Sequence, residues 1–314
     1  MLKSKWKVAV KIAKVDAIPL RIPFDHGGRP AGWGGQPWSA FDMLLIRVET
    51  DGGITGWGEA FSYNCRRAVQ AAVEDMIAPI VVGRDATDIS RLMHELQQTL
   101  HLFGRYGITI FALSGLDIAL WDIAGKTARL PLCRLFGGAV RGEIPGYASL
   151  FKYNDPERVA ERTKAAIAEG YAYVKLHETN EPEVKAAREA AGDGIPIMVD
   201  TNCAWTPTEA REMALRLKPY NLYWLEEPIF PPENFRALAR LQAEIGIPLA
   251  AGENACTAFQ FHEMFAAGAV TYAQASVTKV GGITEFRKIA SLAETSNVAL
   301  MPHSPYFGPG FLAT

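Results

Sequence analysis

Between residues 173 and 228 the chain reads YVKLHETNEPEVKAAREAAGDGIPIMVDTNCAWTPTEAREMALRLKPYNLYWLEEP. Three short apolar segments, YVKLH, PIMVDTN and LYWLEEP, alternate in this stretch with longer segments that mix polar and apolar residues. Short apolar runs separated by amphipathic helices are typical of βα units, which build parallel sheets through right-handed crossovers. The stretch therefore predicts parallel strands joined by helices.

The same alternation extends over the whole second part of the chain. It adds the strand candidates IPGYASL, PLAAGEN, TYAQASVT and VALMPHS, and equivalent strand ends recur every 23 to 27 residues. So regular a spacing favours a (β/α) TIM-type barrel over a doubly wound sheet, for which the sequence also lacks a glycine-rich nucleotide motif. We expect this barrel domain to span residues 141–314. Because it has seven strand candidates, we also expect its last βα unit to be missing and the 314 residues to be a portion of a longer natural chain.

The first 140 residues follow a different pattern. Apolar runs at 8–24 and 41–50 precede a turn at DGG and the segment ITGWGEA, which together predict a β-hairpin. Residues 25–38, DHGGRPAGWGGQPW, are so rich in glycine and proline that they predict a loop, and loops of this length are often functional. Helical periodicity follows at 66–82, 87–103 and 108–127. We therefore expect an α+β domain over residues 1–140.

Composition and charge exclude several classes of function. The chain carries 32 Lys and Arg against 34 Asp and Glu, a net charge of −2 without long runs of either sign. This balance argues against nucleic acid or an anionic membrane as a partner. No stretch approaches the roughly 20 apolar residues of a spanning helix, and the N-terminus has no signal-sequence pattern. The widely spaced Cys65, Cys133, Cys203 and Cys256 predict buried thiols in a reducing compartment, so we expect a cytoplasmic protein.

Polar side chains collect at the ends of the predicted strands, where barrel active sites lie. They are Lys175, His177, Asp200, Asn202, Glu226, Glu227, Glu253, Asn254, Ser276 and His303. Carboxylates on three neighbouring strands would repel one another, and a hard divalent cation relieves that repulsion. Oxygen ligands alone suit Mg²⁺ better than Zn²⁺. Any single acid could equally be a solvated strand end or a helix cap, but three in register favour a metal site.

Basic side chains occupy the same strand ends. Lys175 and His177 are two residues apart on one strand, so both point to one face. If that face is the barrel interior, the cationic Lys175 favours a neutral imidazole that can accept a proton. The alternative is a structural pair, in which Lys175 neutralises an acid and His177 is a buried polar residue. His303, at another strand end, is a candidate acid or base.

The motifs resemble those of one enzyme family. The matching segments are GWGEA (56–60), LSGLDIALWDIAGKTARLPLCRLFGG (113–138), YVKLH, VDTN, WLEEP, AGEN, TKVGGITE (278–285) and MPHSP. In the same order, they resemble the mandelate racemase and muconate lactonizing enzyme branch of the enolase superfamily, over nearly the whole chain. The resemblance implies a capping domain, a barrel, and a homo-oligomer that acts on a small-molecule carboxylate.

The resemblance also implies the chemistry. It implies one Mg²⁺ held by Asp200, Glu226 and Glu253, and a first step that removes the proton α to the substrate carboxylate and gives a metal-stabilised enediolate. A carbon acid this weak ionises at a useful rate only when the developing charge is neutralised. The loop at 25–38 matches the capping-domain loop that closes over the substrate.

Residue roles follow by position. His177 matches the catalytic lysine of the family's Lys-x-Lys strand, and Lys175 matches its first lysine. His303 matches the histidine that serves the other face of the substrate. We expect Lys175, Asn202 and Ser276 to contact the substrate.

One departure from the family affects the predicted reaction. Ser276 stands where the racemase-like group has an aspartate that pairs with the histidine and where the muconate-like group has a lysine. Without that carboxylate His303 should be the weaker base, which disfavours racemisation by two bases. The sequence therefore favours a lyase that dehydrates a sugar-derived hydroxy acid, an aldonate or aldarate. In it His177 or Lys175 is the base and His303 protonates the departing hydroxyl.

Other functions stay open at this point. Racemases, epimerases and cycloisomerases of the same family share the first step. A member that has lost catalysis and acts as a binder would fit Ser276 and the short barrel. A zinc hydrolase barrel is disfavoured, because its first strand would carry a His-x-His pair and IPGYASL has none.

Overall fold

The computed structural model describes residues 10–27 and 38–314. It begins with an antiparallel sheet in the order β1-β2-β3. The strands are β1 (Ile12–Pro23), β2 (Ala40–Thr50) and β3 (Thr55–Ala60). β2 and β3 form a hairpin whose turn contains Gly53 at a φ of +80°, which glycine adopts without strain. The predicted hairpin is confirmed, whereas most of the predicted loop at 25–38 lies outside the described residues.

Helices complete the capping domain. They are α1 (Arg66–Ala71), α2 (Ala78–Val81), α3 (Ile89–Thr99), α4 (Ile108–Ala128) and α5 (Leu132–Leu135). A π-helical turn at Ala72–Ile77 joins α1 to α2, and a 3₁₀ turn at His101–Phe103 follows α3. The predicted helical segments are confirmed, with ends that differ by a few residues.

The helix α4 is the core helix of this domain. It is long and apolar enough by length and composition to cross a membrane, but 72% of its apolar window is buried inside the protein. The expectation that no stretch approaches such a composition was therefore wrong. The physical reason is that α4 packs against β3 on one side and against the barrel on another, so it needs apolar residues around most of its circumference.

The second part of the chain forms a parallel sheet of seven strands in the order β10-β9-β8-β7-β6-β5-β4. The strands are β4 (Ala148–Ser149), β5 (Val174–Leu176), β6 (Ile197–Asp200), β7 (Trp224–Glu226), β8 (Leu249–Ala251), β9 (Tyr272–Ala273) and β10 (Ala299–Leu300). The helices are α6 (Pro156–Ala168), α7 (Glu181–Ala191), α8 (Pro207–Leu217), α9 (Phe235–Ile245), α10 (Thr257–Ala266), α11 (Gly282–Thr295) and α12 (Pro309–Leu312). The seven predicted strands and the barrel-type fold are confirmed. Within the described residues, β4 and β10 are the two edges of the sheet.

Alternation along the strands decides which side chains face the barrel interior. Outward residues pack against the helices in one large core, whereas Met198, Trp224 and Ala250 form a separate cluster inside the sheet. Asp200 lies two residues after Met198, and Glu226 lies two residues after Trp224. Both carboxylates therefore point into the interior, at the end of the barrel where the strands finish.

The capping domain and the barrel meet along α4 and α11. The backbone N–H of Thr284 donates to Oδ1 of Asp117 at 2.9 Å, and that of Gly281 donates to Oγ of Ser114 at 2.8 Å. The predicted boundary between residues 140 and 141 stays a prediction.

The four cysteines are free thiols. Cys256 is buried, and Cys65 and Cys203 are half-buried. Cys133 is exposed, so the prediction of a buried thiol was wrong there. It lies in α5, a short helix after Pro131. None of the residues of this helix is buried, so the side chain of Cys133 is open to solvent.

Candidate active site

Three buried carboxylates meet at the C-terminal end of the parallel sheet. Asp200 ends β6, Glu226 ends β7, and Glu253 lies two residues beyond β8. Each offers one oxygen, and these three oxygens lie within 4.8 Å of one another. The three side chains are buried, and that of Glu226 is fully shielded from solvent. The structure thus brings together the three acids proposed as metal ligands.

Lys175 lies between two of these acids. Its ammonium nitrogen Nζ lies 3.0 Å from Oδ2 of Asp200 and 2.7 Å from Oε1 of Glu226, and the residue is 2% exposed. Burial alone lowers the pKa of Lys175, but the two carboxylates outweigh burial and raise that pKa well above its usual range. Lys175 is therefore a fixed positive charge inside the cluster.

The single positive charge of Lys175 cannot balance three carboxylates. Burial raises the pKa of Asp200, but Lys175 and His177 together outweigh burial and hold this pKa well below its usual range. Burial and the neighbouring Asp200 raise the pKa of Glu226 to about 8. Burial also opposes ionisation of Glu253, but His303 overcomes it and lowers the pKa of Glu253 to about 2. The cluster needs a further positive charge before all three acids ionise together.

His177 lies at one end of the acid cluster. Its Nδ1 is 2.5 Å from the carbonyl oxygen of Leu150, in the loop after β4. Its Nε2 is 3.3 Å from Oδ2 of Asp200. The ring is partly open to solvent, so a small molecule over the cluster can reach it.

His303 lies at the other end. Its Nε2 is 2.7 Å from Oε2 of Glu253, and its Nδ1 is 2.6 Å from Oγ of Ser276. The hydroxyl of Tyr306 donates to the same Oγ at 3.1 Å. Burial, acting against the neighbouring Glu253, lowers the pKa of His303. The hydroxyl of Ser276 is thus the side-chain partner of Nδ1 of His303.

Sequence reasoning missed Tyr306. It follows His303 by three residues in MPHSPY, and it is 3% exposed. The available signal was an aromatic hydroxyl close in sequence to a strand-end histidine. The backbone after β10 is irregular, however, so the sequence does not predict which way the side chain of Tyr306 points.

Asn202 and Glu227 lie beside the cluster. The backbone N–H of Asn202 donates to Oδ1 of Asp200 at 2.9 Å. The carboxylate of Glu227 turns away from the acid cluster and accepts the N–H of Gly252 at 2.9 Å, while burial and the charge of Glu253 raise its pKa to about 7. Of the two adjacent glutamates in WLEEP, the first is the one that joins the cluster.

An α+β cap on a (β/α) barrel, with three buried acids at the strand ends that could hold a metal ion, is the arrangement of a barrel enzyme. Residues 37–137 match the family described as mandelate racemase / muconate lactonizing enzyme, N-terminal domain, and residues 158–314 match the enolase C-terminal domain-like family. The chain belongs to the mandelate racemase and muconate lactonizing enzyme family of the enolase superfamily.

Curated relatives include cycloisomerases and dehydratases. The chain is 36% identical over 274 residues to the 3,6-anhydro-alpha-L-galactonate cycloisomerase of Streptomyces coelicolor, which covers 84% of this chain and 74% of that one. It is 35% identical over 272 residues to the arabinonate dehydratase of Saccharolobus solfataricus, with coverages of 83% and 72%. It is 37% identical over 295 residues to the D-galactonate dehydratase of Xanthomonas euvesicatoria, with coverages of 86% and 73%.

A solved structure adds information about the metal. A racemase from Streptomyces coelicolor A3(2) with bound magnesium is similar to this chain with a TM-score of 0.87 and 33% identity, over 93% of this chain and 83% of that one. The predicted family and fold are confirmed. The names of the relatives agree with a lyase or, as the second choice, an isomerase, and the zinc hydrolase alternative is set aside.

Proposed function

We propose that this protein is a Mg²⁺-dependent lyase that removes the proton α to the carboxylate of a sugar-derived hydroxy acid and then eliminates water. The proposal is carried by the buried acid cluster with a histidine at each end, His177 beside Asp200 and His303 beside Glu253. The sugar acids named for the relatives support an aldonate or aldarate as the substrate class.

The residues of the cluster fit a divalent cation. Asp200, Glu226 and Glu253 offer only oxygen, which hard cations such as Mg²⁺ prefer. Three ionised carboxylates and the ammonium of Lys175 leave two negative charges, which a divalent cation offsets. When bound, the ion would offset the charge that develops on the substrate carboxylate as the α-proton leaves. The magnesium in the similar racemase supports this choice.

The two ends of the cluster supply the proton transfers. The α-proton passes to His177 as the base, because Lys175 is held as a positive charge between Asp200 and Glu226. The C–O bond to the β-hydroxyl breaks with its electron pair on the oxygen, which takes a proton from His303 and leaves as water. The resulting enol becomes a 2-keto acid. Contacts of Lys175, Asn202 and Ser276 with the substrate are part of this proposal.

The test is incubation of the protein with Mg²⁺ and a panel of aldonates and aldarates. We expect a 2-keto-3-deoxy acid from one of them, lost on chelation and in Glu226→Gln. The matched control is Glu244→Gln, a surface acid that pairs with Arg211. Solvent deuterium at the α-carbon of recovered acid without a keto product would instead indicate a racemase or epimerase. Metal binding without α-exchange for any acid would indicate a binder.

A cycloisomerase is the second candidate, since one such relative is 36% identical. Its product keeps the mass of the substrate, whereas a dehydratase product is lighter by one water, so mass spectrometry separates the two. We also propose that the protein is a cytoplasmic homo-oligomer. Sedimentation of the purified protein tests the assembly.

A further inference from the structure

Glu178 is a buried carboxylate of the barrel that takes no part in the acid cluster. It directly follows His177 in the chain and is 1% exposed. Its Oε1 accepts the backbone N–H of Tyr153 at 2.7 Å, and the N–H of Asn154 lies 3.3 Å from Oε1 and 3.2 Å from Oε2. Burial raises the pKa of Glu178, and these two N–H groups oppose that rise. The carboxylate is thus bound to the backbone of another segment.

That segment is the loop at 150–155, which joins β4 to α6 and contains neither helix nor strand. Within it, Asn154 has a φ of +52°, a left-handed conformation that is uncommon outside glycine. The two N–H groups that Glu178 binds are those of Asn154 and of the residue before it. Glu178 therefore holds the loop at the point where the backbone most needs support.

The loop at 150–155 also carries the group that orients His177. The carbonyl oxygen of Leu150 lies 2.5 Å from Nδ1 of His177. The N–H of Leu150 donates to the carbonyl oxygen of Lys175 at 2.8 Å and is fixed by the sheet, whereas its carbonyl belongs to the peptide that enters the loop. The course of the loop thus sets the direction of this carbonyl, and the carbonyl sets the rotation of the imidazole ring.

The next residue of the loop, Phe151, contacts the capping domain. Its ring stacks on that of Phe24, with centroids 5.1 Å apart and planes at 16°. It also stacks on the ring of His26, with centroids 4.7 Å apart and planes at 25°. The loop is therefore held from two directions, by a barrel carboxylate and by aromatic rings of the cap.

We propose that Glu178 is a positioning residue for His177, because its carboxylate holds the loop at 150–155 in the course that lets the carbonyl of Leu150 orient the imidazole ring. The inference rests on the proposed function and deepens it. A general base must approach the proton it removes to within about 2.6–3.2 Å between heavy atoms, so a rotated ring is a poor base. The contacts that carry the proposal lie outside the acid cluster.

Three substitutions test this role. Glu178→Ala removes the acceptor of both N–H groups. Glu178→Gln keeps Oε1, which accepts from Tyr153 and Asn154, and loses only the contact at Oε2. The matched control is Asp155→Ala, which removes a carboxylate at the other end of the same loop. Oδ1 of Asp155 accepts two backbone N–H groups at the start of α6, so this variant also loses two such bonds but leaves the turn at Asn154 intact.

The orientation of His177 can be measured without turnover, in crystal structures of the Mg²⁺-saturated protein and the three variants. We expect the contact between Nδ1 and the carbonyl of Leu150 in the unsubstituted protein, in Glu178→Gln and in Asp155→Ala. In Glu178→Ala we expect the loop to move and the ring to rotate. An unchanged ring and carbonyl in Glu178→Ala would overturn the proposal, whatever the substrate of the enzyme.

Kinetics with the sugar acid that turns over supply the second readout. Glu178→Ala should lower kcat by about 10- to 100-fold, because a small misplacement of a reacting group costs that much, with little change in KM. Glu178→Gln should recover most of this loss, and Asp155→Ala should leave kcat unchanged. Equal falls of kcat in Glu178→Ala and Asp155→Ala would contradict a specific role for Glu178.

Binding of Mg²⁺ separates positioning from general damage to the site. Glu178 contacts none of the three acids, so calorimetric titration should give the same Mg²⁺ affinity for the unsubstituted protein and for Glu178→Ala. A parallel loss of Mg²⁺ affinity and kcat would show that the whole site is distorted, and the positioning role would fail. If no sugar acid turns over in the unsubstituted protein, the proposed lyase function fails, and the crystal structures still decide what Glu178 holds.

Discussion

At the scale of single residues, charge is the quantity that organises the site. Asp200, Glu226 and Glu253 are too close and too buried to ionise together beside a single ammonium. In the metal-free protein Lys175 is the cation that lies between Asp200 and Glu226 and pairs with both. Its removal should affect folding and metal response together.

We predict that Lys175→Met destabilises the metal-free protein by about 3–5 kcal/mol, the usual result of leaving a buried charge without its partner. Mg²⁺ should restore part of this loss, because the ion then provides the missing positive charge. The measurement is Tm with and without Mg²⁺. Lys126→Met is the control, since Lys126 pairs with Asp122 on the surface and should change Tm little. An equal Mg²⁺-induced rise of Tm in the unsubstituted protein and in Lys175→Met would contradict the prediction.

The three acids of the site could be predicted from the sequence, but the hydrogen bond from Tyr306 to Ser276, the partner of His303, could not. Asp200, Glu226 and Glu253 stand at the ends of recognisable parallel strands, and that position alone fixes their convergence. Ser276 was also visible, as a hydroxyl in place of a carboxylate. Its donor Tyr306 lies in irregular chain, where residue type says nothing about direction.

At the scale of elements, the capping domain depends on a close approach between β3 and α4. A Cβ on Gly58 would lie 1.9 Å from the carbonyl oxygen of Gly115, and a Cβ on Gly56 would lie 2.2 Å from that of Ala119. These neighbours are backbone atoms of α4, which cannot move aside for an added Cβ as the end of a flexible side chain can. The two glycines of GWGEA are therefore required by packing, whatever else the motif contributes.

We predict that Gly58→Ala destabilises the protein by at least about 1–3 kcal/mol, because β3 must move away from α4. Gly142→Ala is the control, since no atom lies within 4 Å of its added Cβ and it should stay within about 0.5 kcal/mol. Denaturant midpoints measure both. Coinciding midpoints would show that the sheet accommodates the methyl group.

The positions of the barrel strands and helices were predictable because equivalent strand ends recur at regular intervals along the sequence. Strands of the barrel alternate with helices that open on recognisable caps, such as Thr206, whose hydroxyl accepts from the backbone N–H of Glu209. Strand order then follows from right-handed crossovers between neighbours. The π-helical turn at Ala72–Ile77 was not predictable, because no residue in it departs from an ordinary helical pattern.

At the scale of the whole molecule, the capping domain and the barrel are held together by polar contacts between residues far apart in sequence. Asp117 of α4 accepts from Thr284 of α11, and Trp121 donates to the hydroxyl of the same threonine at 2.9 Å. The backbone N–H of Gly310 donates to Oε2 of Glu59 at 2.9 Å, which ties the segment after His303 to the cap. No local pattern in the sequence predicts such pairs.

The contact at Asp117 should make stability depend on pH. Burial, opposed by hydrogen bonds from Thr284, raises the pKa of Asp117 from its usual 3.8 to about 7. The folded protein thus binds this proton more tightly than the unfolded chain. The stabilisation is complete below pH 4 and is lost as pH rises through 7, by up to about 4 kcal/mol.

The amide of Asp117→Asn can accept from the backbone N–H of Thr284 and donate to its hydroxyl without ionising. We therefore predict that the unfolding free energy of the unsubstituted protein falls more between pH 5 and pH 8 than that of the variant. Other buried acids, including Glu227, titrate in both proteins and cancel in the difference. Parallel pH profiles would mean that Asp117 is ionised in the folded protein throughout this range, and the contact between the domains would then be an ionic one.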